Sequence, residues 1–474
     1  MKTEYVVIYF NNCLYGCNVA DEKNQVVNLV NNIHYLDRII TCQIAEVINI
    51  LFNKYGCISN FELLDFECLD RQIRQSVEYC ENLQEDWSLH EMVLHYTGRE
   101  LLLQPENYIE ETLSLLTNCY REIKKRGTDE WTRIEQIEIP VNRVLYDLVA
   151  RGIAFRQDKL EDLCRVQHKK LYHALNKIQL NFNQVQPDIE TVCHQLNIPI
   201  QYIKYGRLKA LCKQYPDLQP FREAEKAERN LRLLTYLSAI RKNVPIVKPI
   251  VKPIGTRTSR IIMREPSLQN MSKDFRGLLY CPSNSFNQHR YLYVDYSQFE
   301  AGILAGLTKN RKLINLYEKN NIYTEIEKIV NCDRQEAKIH FYCFIYGGKR
   351  TTLLKDFFNY YCPESDLEGL ITPKASSLLG NSRNFDINAD RNKILNHIIQ
   401  STGSLIFKQA LIDVYKCYHW SVELVLPLHD GALYKITDQN IKDDDIFRIY
   451  RDAFQKWIPN VSPIVKSQQF FPEE

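Results

Sequence analysis

Arg334, Lys338, Tyr342 and Tyr346 stand four residues apart in the stretch RQEAKIHFYCFIY. On a helix each step of four drifts ~40° around the axis, so these side chains form one stripe, two cations ahead of two phenols. Taken alone, the stripe reads as an amphipathic helix with a solvated basic end and a buried aromatic end. Two aspartates carry sharper chemistry. RYLYVDYSQFEAGILAGL sets Asp295 at the end of a strand that runs into a helix, where an aspartate is often an N-cap. VELVLPLHDGALYKI sets His429 and Asp430 between two apolar runs, and Asp430 ahead of Gly431 also suits a turn. If these strands are neighbours, the carboxylates converge, and they repel unless a cation lies between them. Hard cations such as Mg²⁺ take oxygen ligands and keep substrate phosphates in their shells. A pair of such ions ~3.5–4 Å apart activates an attacking hydroxyl and stabilises a leaving pyrophosphate.

Other stretches must position these groups. EYVVIYF reads as a strand that stops at Asn11 and Asn12, and LDRIITCQIAEVINILFNKYG has helical spacing. ENYIEETLSLLTNCYREIKKRG carries acids early, bases late and Gly127 as a stop, so a helix is expected. RQDKLEDLCRVQHKKLYHALNKIQLNF and FREAEKAERNLRLLTYLSAIRK predict two long charged helices, with Leu160, Leu163, Leu171 and Leu175 marking one face of the first. Between Ile240 and Arg264 the cations Arg241, Lys242, Lys248, Lys252, Arg257, Arg260 and Arg264 face no carboxylate in sequence. That run is either a solvated face or a groove that tracks phosphates. Its prolines suggest an extended edge.

The chain has 474 residues, 45% of them hydrophobic, which is enough for sizeable cores and roughly two to four domains or subdomains. A formal charge of +2 excludes a wholly basic nucleic-acid coat but leaves a local basic groove open. The 15 cysteines lack zinc-knuckle spacing, and Cys13 and Cys17 read as ordinary thiols in a reducing cytoplasm. No apolar run is long enough to cross a bilayer.

In this order the segments resemble the signature motifs of family A DNA polymerases, the class that includes bacterial DNA polymerase I. VDYSQFE is similar to the first motif, RQEAKIHFYCFIYG to the second and LHDGA to the third. TSRIIMREPSLQN is similar to a segment that brings Arg260, Gln269 and Asn270 into register, and NHIIQSTGSLIFKQAL to a helix that brings Asn396 and Gln400. The likeness runs from about Glu138 to the C-terminus.

The resemblance implies an α+β right-hand polymerase fold: an antiparallel palm sheet, helical fingers and thumb, and an N-terminal α/β RNase H-like domain. The expected boundaries are 1–137 for a degenerate 3′–5′ exonuclease-like domain and 138–474 for the polymerase. Within the latter, the palm start and thumb span about 138–245, palm about 246–304, fingers about 305–385 and palm about 386–474. It further implies that Asp295 and Asp430 hold two Mg²⁺ ions, with Mn²⁺ as an alternative, and that the Tyr296 carbonyl adds a ligand. Arg334 and Lys338 would meet the triphosphate of a dNTP, Tyr342 its sugar and base, and Tyr346 the templating base. Gln298 would join the nucleotide site, and Glu300 would crowd a ribose 2′-hydroxyl. Arg260, Gln269, Asn270, Asn396, Gln400 and His429 would contact primer–template DNA. The expected protein is a monomeric, exonuclease-deficient, cytoplasmic polymerase of replication or repair, with nucleoid-associated and phage or mobile-element settings open. Reverse transcription on an RNA template, and an inactive nucleic-acid-binding protein, are the alternatives.

Several positions depart from the family pattern. Gly431 stands where the family usually has Glu, Gly302 where it has Arg, and Tyr323 where a phosphate-contacting His is common. Weakened rather than abolished catalysis is expected. The N-terminal strand ends in asparagines instead of Asp-x-Glu, and the family's final Tyr-x-x-x-Asp corresponds to Tyr108 and Thr112. Tyr342, in place of Phe, implies ready acceptance of dideoxynucleotides.

Overall fold

The computed structural model describes residues 2–29, 36–56, 61–78, 87–101, 109–182, 189–195, 208, 211–212, 215–240, 245–280, 288–347 and 354–472. Tyr108, Arg241 and Lys242 lie outside them. The run EYVVIYF forms strand β1 (Glu4–Phe10) and turns at Asn11 and Asn12 into β2 (Cys13–Asn18). Both asparagines have positive φ, 47° and 61°, the backbone a two-residue hairpin turn requires. With β3 (Val26–Asn28), β4 (Arg38–Thr41) and β5 (Glu62–Asp65) they make a sheet in the order β3-β2-β1-β4-β5. β4 runs parallel to β1 and β5.

β4 corrects one expectation from periodicity. The helix in that stretch begins only at Ile44 and runs to Tyr55, while Arg38–Thr41 is a strand. All four residues of β4 are buried, and a strand covered on both faces shows no alternation to separate it from a buried helical turn. Other helices fall where expected, at Ile109–Arg126, Leu160–Phe182 and Gln219–Ser238, and a further one spans Ile139–Arg151.

Short ribbons follow: β6 (Ile153–Ala154) with β7 (Ile246–Val247), β8 (Ile250–Lys252) with β9 (Ile262–Arg264), and, further on, β11 (Lys374–Ala375) with β12 (Arg383–Asn384). The second large sheet joins β10 (Arg290–Tyr296), β13 (Val422–Pro427), β14 (Gly431–Ile436) and β15 (Val465–Ser467) in the order β13-β14-β10-β15. Every pairing in it is antiparallel.

The chain forms two compact units. One comprises Met1–Arg151, Ile250–Met263 and Ser283–Gln469, and so holds both large sheets. Its core includes the helix Arg391–Tyr418, buried from Ile394 to Ile412 at nearly every position. Glu138, Arg133 and Lys408 form a buried ionic cluster there. Glu138 Oε1 accepts from Arg133 Nε at 2.9 Å and Oε2 from Lys408 Nζ at 2.6 Å. The two cations hold the Glu138 carboxyl below its usual range. The other unit comprises Gly152–Pro249, Arg264–Pro282 and Phe470–Glu474 and contains the two long helices Leu160–Phe182 and Gln219–Ser238, packed together.

Candidate active site

β10 lies between β14 and β15, and along it Leu292, Val294 and Tyr296 are buried. Alternation therefore turns Asp295 to the other face. Asp295 stands directly opposite Gly431 on β14 and Lys466 on β15. The turn joining β13 to β14 is closed by Leu428 N–H donating to the Gly431 carbonyl at 2.8 Å. Tyr296 N–H donates to the Asp430 carbonyl at 3.3 Å, which holds that turn against β10.

Asp295 and Asp430 thus meet, and their carboxyls hydrogen-bond each other. Burial first and then the Asp430 charge push the Asp295 carboxyl up to about 8, against Lys466 and Lys338. Burial raises Asp430 as well, against His429, Lys338 and Arg260. Two adjacent carboxylates resist ionising together unless a cation lies between them. The N-cap alternative for Asp295 fails, since the following helix, Phe299–Thr308, has Gln298 as its N-cap residue.

The donors suit a hard divalent ion, because both are carboxylate oxygens and no ion pair closes on either. Among the described residues no third Asp, Glu, His or Cys completes a cluster. Gly431 explains the missing carboxylate in physical terms. A Cβ there would lie 2.4 Å from the Val294 carbonyl oxygen and 3.1 Å from Asp295 Cα, so the two strands approach too closely for a side chain. Tyr296 gives its side chain to the core, stacked on Phe299 at 4.5 Å and donating to the Tyr450 carbonyl at 2.6 Å.

The helix Arg334–Tyr346 is capped by Asp333, which accepts from Glu336 N–H, and ends at Gly347 with φ of 81°. Ala337, Phe341, Phe344 and Ile345 are buried. The opposite side carries the stripe, with Arg334 and Lys338 exposed and Tyr342 and Tyr346 half-buried. The two phenol rings stack at 5.5 Å and 7°, and Lys338 Nζ sits 5.6 Å from the Tyr342 ring centroid. Arg334 lies over Tyr323, 5.6 Å from its centroid. The Lys338 charge acts on both aspartates.

Glu300 is fixed from two sides. It accepts from Arg260 Nη2 at 2.9 Å and from the Tyr346 hydroxyl. Tyr346 is also hydrogen-bonded to Gln400. Burial, with Glu300 nearby, drives the Tyr342 and Tyr346 phenols well above their usual range. Gln298 adopts φ of 52° and donates its amide to Asn320 Oδ1. Arg260 sits in a tight turn where Gly255 N–H donates to the Arg260 carbonyl at 2.9 Å. Its neighbour Ser259 has φ of 60°, in the left-handed region of the backbone.

Asn396 and Gln400 line a cleft of about 800 Å³ with Arg257, Thr258, Arg383 and Lys393. His429 is exposed beside Asp430. Gln269 and Asn270 lie on a short turn of the second unit, where Asn270 donates to Ser267 Oγ at 2.9 Å. The basic run resolves unevenly. Arg260 pairs with Glu300, but Lys252 is an internal ion-pair partner, 2.8 Å from both Asp65 Oδ2 and Glu67 Oε2.

Sequence reasoning missed Gln468, whose amide donates to Asp295 Oδ2, and Lys466. Their stretch, IVKSQQF, carries no motif, and its only signal is a weak alternation. Tyr317 was missed too. Its phenol would lie 2.7 Å from a Cβ at position 302, so Tyr317 fills the space that Gly302 leaves.

An antiparallel sheet with paired carboxylates, facing a helix that presents cations, defines a right-hand polymerase fold. The POL domain of Pol1 from M. smegmatis, solved in complex with DNA primer-template and dNTP, shares the fold with a TM-score of 0.78 at 16% identity. That match covers 98% of this chain and 94% of the other. The model of DNA polymerase family A matches residues 205–360. DNA polymerase I of Helicobacter pylori (strain ATCC 700392 / 26695) is 23% identical over 431 residues, 78% of this chain and 48% of that protein. DNA polymerase theta of Caenorhabditis elegans is 25% identical over 243 residues, 43% of this chain and 15% of that protein. The chain is similar to DNA polymerase family A over about a third of its length. It spans about half the length of the DNA polymerase I relatives from H. pylori. No helix among the described residues is long and apolar enough to cross a membrane.

Proposed function

We propose that the chain extends a primer 3′-hydroxyl with deoxynucleotides on a DNA template, by nucleotidyl transfer at two divalent ions, and that it lacks proofreading. The observation that carries this reading is the meeting of Asp295 and Asp430 within the field of Lys338. Mg²⁺ held by Asp295, Asp430 and the Tyr296 carbonyl would lower the pKa of the attacking hydroxyl and offset charge on the leaving pyrophosphate. Arg334 and Lys338 bind the triphosphate, where fixed cations act most strongly as negative charge concentrates. Tyr342 stacks on the sugar and base, and its hydroxyl supports use of dideoxynucleotides. Tyr346 packs near the templating base, and Gln298 borders the nucleotide. Glu300, braced by Arg260 and Tyr346, excludes a 2′-hydroxyl. Arg260, Gln269, Asn270, Asn396, Gln400 and His429 contact the duplex, reading shape more than sequence.

The N-terminal sheet is proposed as a degenerate RNase H-like exonuclease fold that serves as scaffold. In support, β1 ends in Asn11 and Asn12, and the acids around the sheet are occupied by internal cations. Arg38, 1% exposed, binds Glu4, Glu62 and Glu135 at 2.7–2.8 Å. Lys252 binds Asp65 and Glu67.

The test is primer extension with Mg²⁺ on DNA and RNA templates, offering deoxy- or ribonucleotides, with Asp295→Ala and Asp430→Ala as controls. Extension by the parent alone, with deoxynucleotides, is expected. Absence of extension with tight primer–template binding would overturn the reading. Removal of a mismatched 3′ end by the parent would overturn the lack of proofreading.

A further inference from the structure

The carboxylate pair has a third wall that no motif describes. Strand β15 runs antiparallel to β10 and places Lys466 directly opposite Asp295, on the side away from Gly431. Two residues on, and so on the same face, Gln468 donates its side-chain amide to Asp295 Oδ2. The register is pinned by backbone bonds on either side. Ser297 N–H donates to the Ile464 carbonyl at 2.8 Å, and Gln468 N–H to the Tyr293 carbonyl at 3.1 Å. Lys466 and Gln468 are both exposed, so neither is there to fill a core.

The row Gly431–Asp295–Lys466 across three strands is electrostatically lopsided. On one side the backbone approach forbids a side chain, and on the other an ammonium stands beside the carboxylate. A carboxylate with one oxygen held by an amide keeps a fixed orientation, and such outer partners change metal affinity by roughly 10–100-fold when removed. A neighbouring ammonium acts the other way, because it repels a divalent ion and attracts an anion.

We propose that β15 tunes the divalent-ion site. Gln468 is a positioning residue that fixes Asp295 for the ion. Lys466 is a standing positive charge that weakens ion binding in the free protein, so that ions are taken up together with an anionic, phosphate-bearing substrate. This inference rests on the two-carboxylate metal reading above.

The experiment measures Mn²⁺ binding to the full chain by electron paramagnetic resonance, without nucleic acid, first alone and then with a non-hydrolysable dNTP. Gln468→Ala is expected to weaken Mn²⁺ roughly 10-fold or more. Lys466→Ala is expected to tighten it roughly three- to ten-fold in the free protein and to shrink the gain that nucleotide brings. Lys466→Arg should behave as the parent. Unchanged thermal melting of each variant without metal serves as the folding control, and a variant that fails it is replaced by Gln468→Met or Lys466→Met. Parent-like Mn²⁺ affinity in both the Gln468 and Lys466 variants would overturn the proposal. If instead Asp295→Ala and Asp430→Ala also bind as the parent does, the metal reading itself falls. The two failures are therefore distinguishable.

Discussion

Asp295 and Asp65 occupy similar places: each lies at or next to the end of a strand that leads into a helix. Asp65 is the N-cap of the helix Phe66–Val77, accepting from Glu67 N–H, and Lys252 reaches in to bind it and Glu67 at 2.8 Å. Asp295 caps nothing, and the charge that acts on it most strongly is a second carboxylate. At the first site burial raises the Asp65 carboxyl and Lys252 opposes that rise, while Lys252 itself is pushed up and Glu67 down. At the second, burial raises both acids, and the Asp430 charge raises Asp295 further. A carboxylate pair ion-paired to its own lysine has no need of a metal, whereas a pair that no salt bridge closes is set up for one.

The largest test of this contrast is activity. Asp295→Ala or Asp430→Ala should lower primer extension by at least about 10²–10³-fold, whereas Asp65→Asn should leave extension within a few-fold of the parent. Steady-state extension rates check both. Equal loss from the Asp65 change would erase the distinction between the sites.

Stability should show the reverse order. Lys252→Met strands a carboxylate that is 4% exposed. Breaking a buried ion pair costs about 3–5 kcal/mol. Because the Lys252 side chain is 23% exposed, about 2–4 kcal/mol is expected in urea unfolding. Changing Asp65 as well, Lys252→Met with Asp65→Leu, should recover only part of that loss, because Glu67 still lacks Lys252 and the helix loses its N-cap. Asp295→Asn should not destabilise the metal-free protein.

A smaller effect is expected at Gly431. Gly431→Ala forces a methyl against the Val294 carbonyl oxygen and should cost about 1–3 kcal/mol. Gly431→Glu should not raise activity, although it supplies the carboxylate the family usually has, because the strand spacing leaves no room for its Cβ. A gain in extension rate from Gly431→Glu would show that the strands yield.

Much of the site was legible because its chemistry sits on strongly patterned elements. The stripe on Arg334–Tyr346 needed only a helical period, and Asp295 and Asp430 needed only strands with clear apolar runs. What stayed hidden depends on pairing between distant segments. β15 is three residues long with a half-exposed, polar pattern, and only its register against β10 gives Lys466 and Gln468 a role. Lys252 looked like part of a phosphate-tracking run, since its partners Asp65 and Glu67 lie far away in sequence. Gly302 looked like a lost arginine until Tyr317 was seen to fill its place.

The finest test separates the two carboxylate pairs by pH. A carboxyl raised in the folded state binds its proton there while the unfolded chain has released it, so its contribution falls as pH rises between the two pKa values. For Asp295 that window runs from its ordinary value of 3.8 to about 8. At the Lys252 site Asp65, also raised by burial, adds a slope of the same sign above 3.8, which the difference measured below cancels. The raised lysine there loses stability only as pH climbs past the ordinary lysine value, and the lowered Glu67 only as pH falls below the ordinary glutamate value. His397, held neutral by burial down to about 4, adds the opposite slope between about 4 and 6.5. The quantity to measure is therefore the parent minus Asp295→Asn difference in unfolding free energy. It should fall steadily from pH 5 to pH 8 without metal. Mg²⁺ binds the deprotonated pair, so at ten times its dissociation constant it should restore about 1.4 kcal/mol at pH 8. The same Mg²⁺ should leave Asp295→Asn nearly unmoved. A difference that stays flat with pH would mean that burial beside Asp430 does not raise the Asp295 carboxyl.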